Sequence, residues 1–337
     1  MKIAVVVPCV NEKPYIAECI HAIFANRFEQ AVEISVFIVD GMSDDGTREV
    51  VTGLKSQYPE LYLVDNPIRF TPFAFNIGIT SMEADYYQIV GARHILSDNY
   101  LQKSLSILEK DKSIWCVGGR IINNYINHTG EIIANAMSTT FGMGIGNFRT
   151  LSKSGFTDTV TSPMYPAWVF RKIGYFDEAL VRNQDDDFNF RVTKAGGKIY
   201  YEHDIYLKYY VRGNFRNLYK QFFQYGYWKV YVNKKHRAVT TIRQLAPPLF
   251  VLFFFFSVLF TLAGSFLAPL CWGVLGLYFL LDIGFSLKVS RSVKDFFQTL
   301  FIYPLMHFSY GLGYLKGILH FLVFGRIPSD REKKISR

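Results

Sequence analysis

Residues 183–191 read NQDDDFNFR, three consecutive aspartates followed by an aromatic–polar alternation and an arginine. Adjacent carboxylates repel, so three together call for a use. Three uses fit. The acids can open a helix, where the dipole favours negative charge by about 0.3–1 kcal/mol each. They can cage a divalent cation. One of them can serve as a catalytic base, with neighbours that raise its basicity. The continuation FNFRVTKAGGKIYY reads as a helix with Phe188, Val192 and Ala195 on one face, closed by Gly196–Gly197 and followed by a strand. Two earlier stretches, PCVNE (8–12) and DGMSDDGT (40–47), carry polar groups at turn spacing. Each alone is ordinary strand-to-helix turn chemistry, with Asn11 as a helix cap in the first.

The elements around these stretches alternate. Ile3–Val7 is an apolar β-branched run of the kind buried on both faces of a sheet. A helical pattern at Tyr15–Ala25, a strand at Glu33–Val39, a helical pattern at Thr47–Gln57 and a strand at Leu61–Val64 follow. Asn76–Ser81 then reads as part of a helix and Tyr86–Val90 as a fourth strand. This order predicts an α/β fold with a mostly parallel sheet, whose ligands bind beyond the carboxyl ends of the strands. Those ends are PCVNE, DGMSDDGT, DNPIRF (65–70) and GARH (91–94). No G-x-G-x-x-G follows the first strand and no G-x-x-x-x-G-K-[ST] occurs, which removes the main support for dinucleotide and P-loop sites.

Together and at this spacing, VVVPCVNEKPYIAECI and VFIVDGMSDDGT resemble the opening of family 2 glycosyltransferases. The shared residues are Pro8, Asn11, Glu12, Asp40, Ser43, Asp45, Gly46 and Thr47. The resemblance implies a GT-A fold, a Rossmann-like mixed sheet that holds a nucleotide diphosphate sugar. Pro8, Val10, Asn11, Glu12, Asp40 and Ser43 would line that site, with Asp40 accepting hydrogen bonds from the base or ribose. The stretch NPIRFTPFAFNIGI (66–79) resembles the branch containing succinoglycan-type exopolysaccharide glycosyltransferases. Arg69 is the candidate there for the donor diphosphate, or else a surface arginine in a loop. Gln184–Asp185 fits the frame in which the family places Glu-Asp before an arginine and an Ala-Gly pair. Asp185 then becomes the base that deprotonates the acceptor hydroxyl in an inverting transfer. Asp186 and Asp187 raise its basicity, contact the acceptor or face water, Asp187 being the better acceptor-side candidate.

One position departs from the family. A divalent metal, Mg²⁺ or Mn²⁺, is expected from an Asp-x-Asp or Asp-Ala-His placed straight after the fourth strand. Here that slot is Gly91, Ala92 and Arg93, which cannot cage a cation. Arg93 itself supplies the charge, or Asp98 or another displaced acid holds the metal, or catalysis is lost. Asn123–Pro166, rich in Gly, Asn, Ser and Thr with FGMGIGNFRT at its centre, resembles the acceptor-side loop of the branch. It is either a loop that orders over substrate or a plain surface excursion.

The chemistry is tied to a membrane. Residues 247–287 carry one charge, Asp282, and are long enough for two spans at about 247–263 and 267–287. A third apolar segment runs over about 296–324. Lys and Arg crowd the flanks, from Arg212 to Arg243, from Lys288 to Lys294, and in the basic tail 326–337. Positive flanks stay inside, which makes the first two spans a hairpin based on the cytoplasm. A single crossing by the third segment would put the tail outside, against the rule, so re-entry or an interfacial course stands beside it. Residues 213–244 interleave aromatic and basic residues. Such a segment either stacks single-stranded nucleic acid or lies at a membrane interface, and the adjacent spans favour the membrane over any nucleic acid. Gln221 of QFFQY is the only match to the Gln-x-x-Arg-Trp of processive members, and it is assigned to the acceptor side. Cys9, Cys19, Cys116 and Cys271 show no paired spacing, as suits a reducing compartment.

The expected organisation is a GT-A domain over 1–212, an interfacial segment over 213–244, a membrane region over 245–325 and the basic tail. The expected protein is a multi-pass enzyme of the cell inner or plasma membrane with its catalytic domain in the cytoplasm. It adds one sugar to a lipid-linked saccharide, probed against two alternatives: a silent sugar-nucleotide-binding scaffold, and a transferase acting on polyprenyl phosphate.

Overall fold

The computed structural model of the chain describes residues 1–145, 148–211 and 213–328. Arg212, residues 146–147 of FGMGIGNFRT and tail residues 329–337 lie outside the described residues. The chain forms two compact units, Met1–Ile122 with Leu151–Tyr210, and Asn123–Thr150 with Val211–Arg337.

The first unit opens with β1 (Lys2–Cys9), α1 (Lys13–Phe24), β2 (Glu33–Asp40), α2 (Thr47–Leu54), β3 (Leu61–Asp65), α3 (Thr71–Thr80), β4 (Tyr86–Ile89), β5 (His94–Leu96), α4 (Tyr100–Lys110) and β6 (Ile114–Asn124). The chain then gives α5 (His128–Met137) and α6 (Thr140–Met143) to the second unit. It returns with β7 (Gly155–Thr157), β8 (Thr161–Pro166), α7 (Ala167–Ile173), α8 (Gln184–Lys194) and β9 (Lys198–Tyr210). The second unit is completed by α9 (Phe215–His236), α10 (Ala246–Leu262), α11 (Ala268–Val289) and α12 (Val293–Gly317).

The sheet runs β3-β2-β1-β4-β8-β6-β9-β5, with β7 added beside β9. β1 pairs in parallel with both β2 and β4, while β8 runs antiparallel between β4 and β6. The sheet is therefore mixed, as the resemblance implies. Strand order reverses at β1: the first two crossovers step one way, to β2 and β3, and the third steps the other way, to β4. Right-handed crossovers then put α3 on the face opposite α1 and α2. The crevice between the carboxyl ends of β1 and β4 is the switch point where open α/β sheets bind ligands. α3 lies directly on β1, since a Cβ at Gly78 would collide with the Val6 side chain. It also starts earlier than the periodicity suggests, because Pro72 near its first turn fixes a helical φ without costing a needed N–H.

Residues 123–166 are not one loop. The Asn and Thr residues that mark the segment as irregular are helix caps: Asn127 accepts from the Gly130 amide at 2.7 Å and Thr139 from the Gly142 amide at 3.0 Å. Ile132, Ile133, Ala136 and Met137 form the buried side of α5.

In the second unit, α10 and α11 are the two helices among the described residues long and apolar enough to cross a membrane. Their outward sides are apolar, with Leu259 55% and Leu280 66% exposed, and less than a quarter of each apolar window is buried. The chain reverses between them at Gly264, whose φ of 62° is one that glycine adopts without strain. α12, the third apolar segment, begins at Ser292, which caps it by accepting from the Asp295 amide at 3.1 Å.

Candidate active site at the strand carboxyl ends

Cys9, Asp40 and Asp65 stand in register at the ends of β1, β2 and β3. The loops that follow β1 and β2 are sewn together by the residues the sequence singles out. The Asn11 amide donates to Ser43 Oγ at 2.8 Å, Asn11 Nδ2 donates to Asp44 Oδ1 at 2.9 Å, and the Asp44 amide donates back to Asn11 Oδ1 at 3.0 Å. The Glu12 amide donates to Thr47 Oγ1 at 2.9 Å and the Lys13 amide to Asp45 at 3.2 Å. Asn11 is thus no helix cap: it is left-handed, with φ 55°, and Glu12 caps α1 without a side-chain bond.

Asp40 has a different role from the one expected. It is completely buried. One oxygen accepts from the Ser43 hydroxyl and from Cys9 Sγ at 3.3 Å; the other accepts from the Ser43 amide at 2.9 Å and from Arg48 Nη1 at 2.8 Å. Those four donors fill the lone-pair capacity of a carboxylate. Burial pushes the Asp40 pKa up, but the Ser43, Arg48 and Cys9 hydrogen bonds outweigh it and hold the group below the usual carboxylate range. Asp40 therefore holds the loop instead of facing a base or ribose. Arg48 joins it to Asp65, which its other nitrogen meets at 2.8 Å.

The switch point is bridged by charge. Arg93, after β4, places Nε 2.7 Å from the Glu12 carboxylate, after β1, and its guanidinium lies 4.8 Å from the centroid of the Tyr15 ring. At the ends of β1 and β2, Val10, Gly41 and Arg69 converge: a Cβ at Gly41 would collide with Val10 and come within 3.3 Å of the Arg69 Cα. Pro8 is half-buried in the register position opposite Val39. Arg69 is exposed and left-handed, with φ 66°. Met42, Ser162 and Asn183 also take positive φ, at 56°, 41° and 58°. With Asn11 and Arg69 they make five of the six non-glycine residues in that region among those described. Each such residue costs about 1–3 kcal/mol, and such strain gathers at functional sites.

The triple acid belongs to the same edge of the sheet. β8 runs antiparallel to β4, so its first residues lie at the carboxyl end of β4, where Gln88 Nε2 donates to the Ser162 carbonyl at 2.6 Å. Asn189 of α8 donates to Thr159 at 2.9 Å, just ahead of those residues. The other end of α8 leads to Lys198, whose amide bonds Ser113 at the amino end of β6. α8 thus runs from the carboxyl edge to the amino edge, and Asp185 stands one turn nearer the carboxyl edge than Asn189. Asp185 is exposed, and one of its oxygens accepts from the Asp186 amide at 3.0 Å. Next to it, Gln184 Oε1 is buried with no hydrogen-bond donor among the described residues.

Asp187 corrects its assignment. It is fully buried and pairs with Arg191 at 3.0 Å. Arg191 also donates to the Ile173 and Tyr175 carbonyls at 2.7 Å each. The pair fastens α8 to the end of α7, so Asp187 is a structural residue and not an acceptor contact. Gln221, in the second unit, is 6% exposed and donates to the Tyr225 hydroxyl at 2.8 Å.

The residues after β4 do not fit a divalent cation. Gly91, Ala92 and Arg93 carry no carboxylate, and a Cβ at position 91 would lie 3.0 Å from the His94 ring. Asp98 is no displaced ligand. Its carbonyl accepts from the Arg27 amide beyond the C-terminal end of α1, a helix length of roughly 18 Å from Glu12. Two residues escape sequence reasoning. Arg48 carries a faint signal, as a cation just after several acids. His94, whose Nδ1 lies 2.7 Å from Ser162 Oγ, carries none, because its partner is remote in the chain.

Comparison with known proteins follows the same lines. The family model described as Glycosyl transferase family 2 matches residues 4–174. The chain is 28% identical over 231 residues to the dolichyl N-acetyl-alpha-D-glucosaminyl phosphate 3-beta-D-2,3-diacetamido-2,3-dideoxy-beta-D-glucuronosyltransferase of Methanococcus voltae, covering 66% of this chain and 71% of the relative. It is 26% identical over 250 residues to the succinoglycan biosynthesis protein ExoA of Rhizobium meliloti (strain 1021), covering 72% and 73%. Among solved structures, the mannosyltransferase PcManGT from Pyrobaculum calidifontis, in complex with GDP-Man and Mn²⁺, superposes with a TM-score of 0.62. That match covers 94% of this chain and 86% of the other at 16% identity, and shows a shared GT-A fold.

Proposed function

This chain belongs to glycosyl transferase family 2, and from that premise we propose that it moves one sugar, with inversion, from a nucleotide diphosphate sugar to a lipid-linked saccharide. The observation that carries this reading is the placement of Asp185 on the sheet edge where the loops after β1, β2 and β4 are gathered. Asp185 takes the proton of the acceptor hydroxyl as that oxygen bonds to the anomeric carbon. The bond from that carbon to the diphosphate breaks, and its electron pair leaves with the nucleotide diphosphate. A carboxylate at a helix start, its oxygen already held by an amide, is oriented for this task.

A metal ion, where one is bound, would neutralise the diphosphate. The slot at 91–93 offers no donors for it, so in this reading Arg93 and Arg69 face the diphosphate. The names of the two curated relatives, one a transferase for a dolichyl-linked sugar phosphate and one a succinoglycan biosynthesis protein, support a lipid-linked or polysaccharide acceptor. α10 and α11 support attachment to a membrane, with the basic flanks and the catalytic unit on the cytoplasmic side.

The missing acid at position 91 favours one second reading, a silent relative that binds sugar nucleotide without turnover. Protein in vesicles, offered a panel of labelled sugar nucleotides and a lipid-linked acceptor, separates the two. Product formation that disappears in Asp185→Asn is the expected result. Sugar-nucleotide binding without turnover on any donor would replace it with the silent reading.

A further inference from the structure

At 25 residues α12 is about 37 Å long, enough to cross a bilayer core. Its neighbours point to another course. From Phe301 onward α12 lies along α9. Phe215 meets Phe301 at 5.7 Å between ring centroids, and Asn233 donates to the Tyr314 hydroxyl at 3.1 Å. Between these contacts the helices touch backbone to backbone: a Cβ at Gly226 would collide with the Tyr310 carbonyl, and one at Gly313 with that of Phe223. α9 carries Arg216, Lys220, Lys229, Lys234, Lys235 and His236. Any path that takes α12 through hydrocarbon takes this cationic helix with it, and ionised side chains at that depth are strongly disfavoured.

The hairpin of α10 and α11 gives an independent measure of depth. α12 meets it first at Ser290, through Thr299 at 3.4 Å, then at Tyr278, whose hydroxyl lies 2.8 Å from His307 Nδ1. Next come Phe250 and Phe254, each 5.2 Å from Phe308, and then Pro247, against Gly311. Ser290 and Pro247 mark the two ends of the hairpin nearest its basic flanks. Tyr278 and Phe254, the deepest of these contacts, stop about 15 Å short of the turn at Gly264. α12 therefore enters beside the base of the hairpin, dips, and returns to the base.

The free side of α12 matches a charged lipid surface. Val293, Phe297 and Phe301, spaced i, i+4, i+8, are 75%, 62% and 55% exposed. Lys288 and Lys294 stand exposed beside them. Leu319 and Leu322 continue the apolar side beyond α12, 51% and 55% exposed, near Lys316 and Arg326. Apolar groups facing outward with lysines at their margins are the composition of a helix lying in an anionic headgroup layer.

We propose that α12, paired with α9, lies along the surface of an anionic membrane and does not cross it, so that both of its ends stand on the side of the hairpin's basic flanks. The full chain is placed in vesicles of phosphatidylcholine with phosphatidylglycerol, and single cysteines are introduced at Val293, Ile327, Phe266 and Phe301. The native Cys9, Cys19, Cys116 and Cys271 are all buried and give a low background for a membrane-impermeant maleimide. Val293→Cys and Ile327→Cys are expected to label from one side and Phe266→Cys from the other. Phe301→Cys is expected to label about tenfold more slowly in these vesicles than in detergent, and more slowly than in phosphatidylcholine alone. Labelling of Val293→Cys and Ile327→Cys from opposite sides overturns the proposal. So does a Phe301→Cys rate that phosphatidylglycerol leaves unchanged. The readout is topology, so it stands or falls apart from glycosyl transfer.

Discussion

The Arg93 guanidinium lies 2.7 Å from the Glu12 carboxylate, joining the end of β4 to the end of β1 across the point where the strand order reverses. Burial works against the arginine's charge, but Glu12, by its charge and hydrogen bond, raises the Arg93 pKa above its ordinary value. A permanent cation thus stands where the family resemblance leads one to expect acids. Removing it in Arg93→Ala should cut kcat/KM about 100-fold, the scale seen when one preorganised charge donor is lost. Steady-state kinetics against donor concentration check this. An unchanged kcat/KM would leave Arg93 a purely structural partner of Glu12.

Asp185 and Asp187 are two residues apart and should fail differently. Asp185→Asn should lower kcat by about 10²–10⁴ and leave thermal unfolding unchanged, because its side chain is exposed. Asp187→Asn should destabilise the protein by about 1–3 kcal/mol, since it removes the buried carboxylate that half-buried Arg191 pairs with. Paired rate and melting measurements separate the roles, and swapped outcomes would reassign the base.

The chemistry of positions 91–93 predicts the response to chelation. With no carboxylate there, product formation should persist in excess chelator at more than half its untreated rate. Loss of activity that Mn²⁺ or Mg²⁺ restores would show that residues elsewhere build a cation site.

Asp40 makes stability depend on pH in a defined sense. Its folded pKa is depressed below the unfolded value of about 3.9. Its contribution is therefore complete above that value and is lost as pH falls through the depressed folded value. The difference in unfolding free energy between the native protein and Asp40→Asn should be constant from neutral pH down to about pH 5 and shrink below pH 4. Denaturant titrations across that range check it. A gap that widens in acid would mean that Asp40 is not ionised in the folded protein.

Gly226 and Gly313 set the closest approach of α9 and α12, each facing a carbonyl of the other helix. Alanine at either position should force the helices apart and destabilise the second unit by about 1–3 kcal/mol. Calorimetry in detergent reads this directly. A pair of neutral substitutions would show that the helices can slide past the obstruction.

The sequence by itself determined a good deal about this protein. Alternation of β-branched runs with amphipathic stretches is local, so the strand and helix order over residues 2–89 could be read from periodicity, as could the two apolar helices and their glycine turn. The shared residues of PCVNE and DGMSDDGT were enough to identify the family, because that frame is fixed by the loop-to-loop hydrogen bonds that Asn11, Ser43, Asp45 and Thr47 make. Only the tertiary structure decided what each of these groups does. Burial depends on how the whole chain packs, and it decides which of the available partners, near or remote, a group meets; no local pattern encodes it. Asp40 looked like a ligand contact until Cys9, Ser43 and Arg48 were seen to fill its oxygens. Asp187 looked like a twin of Asp185 until helix geometry turned it inward onto Arg191, while Asp185 remained in solvent. The physical reason is the same in each case: identical carboxylates have identical intrinsic chemistry, and the fold assigns their roles by which are taken out of water and which donors they meet there.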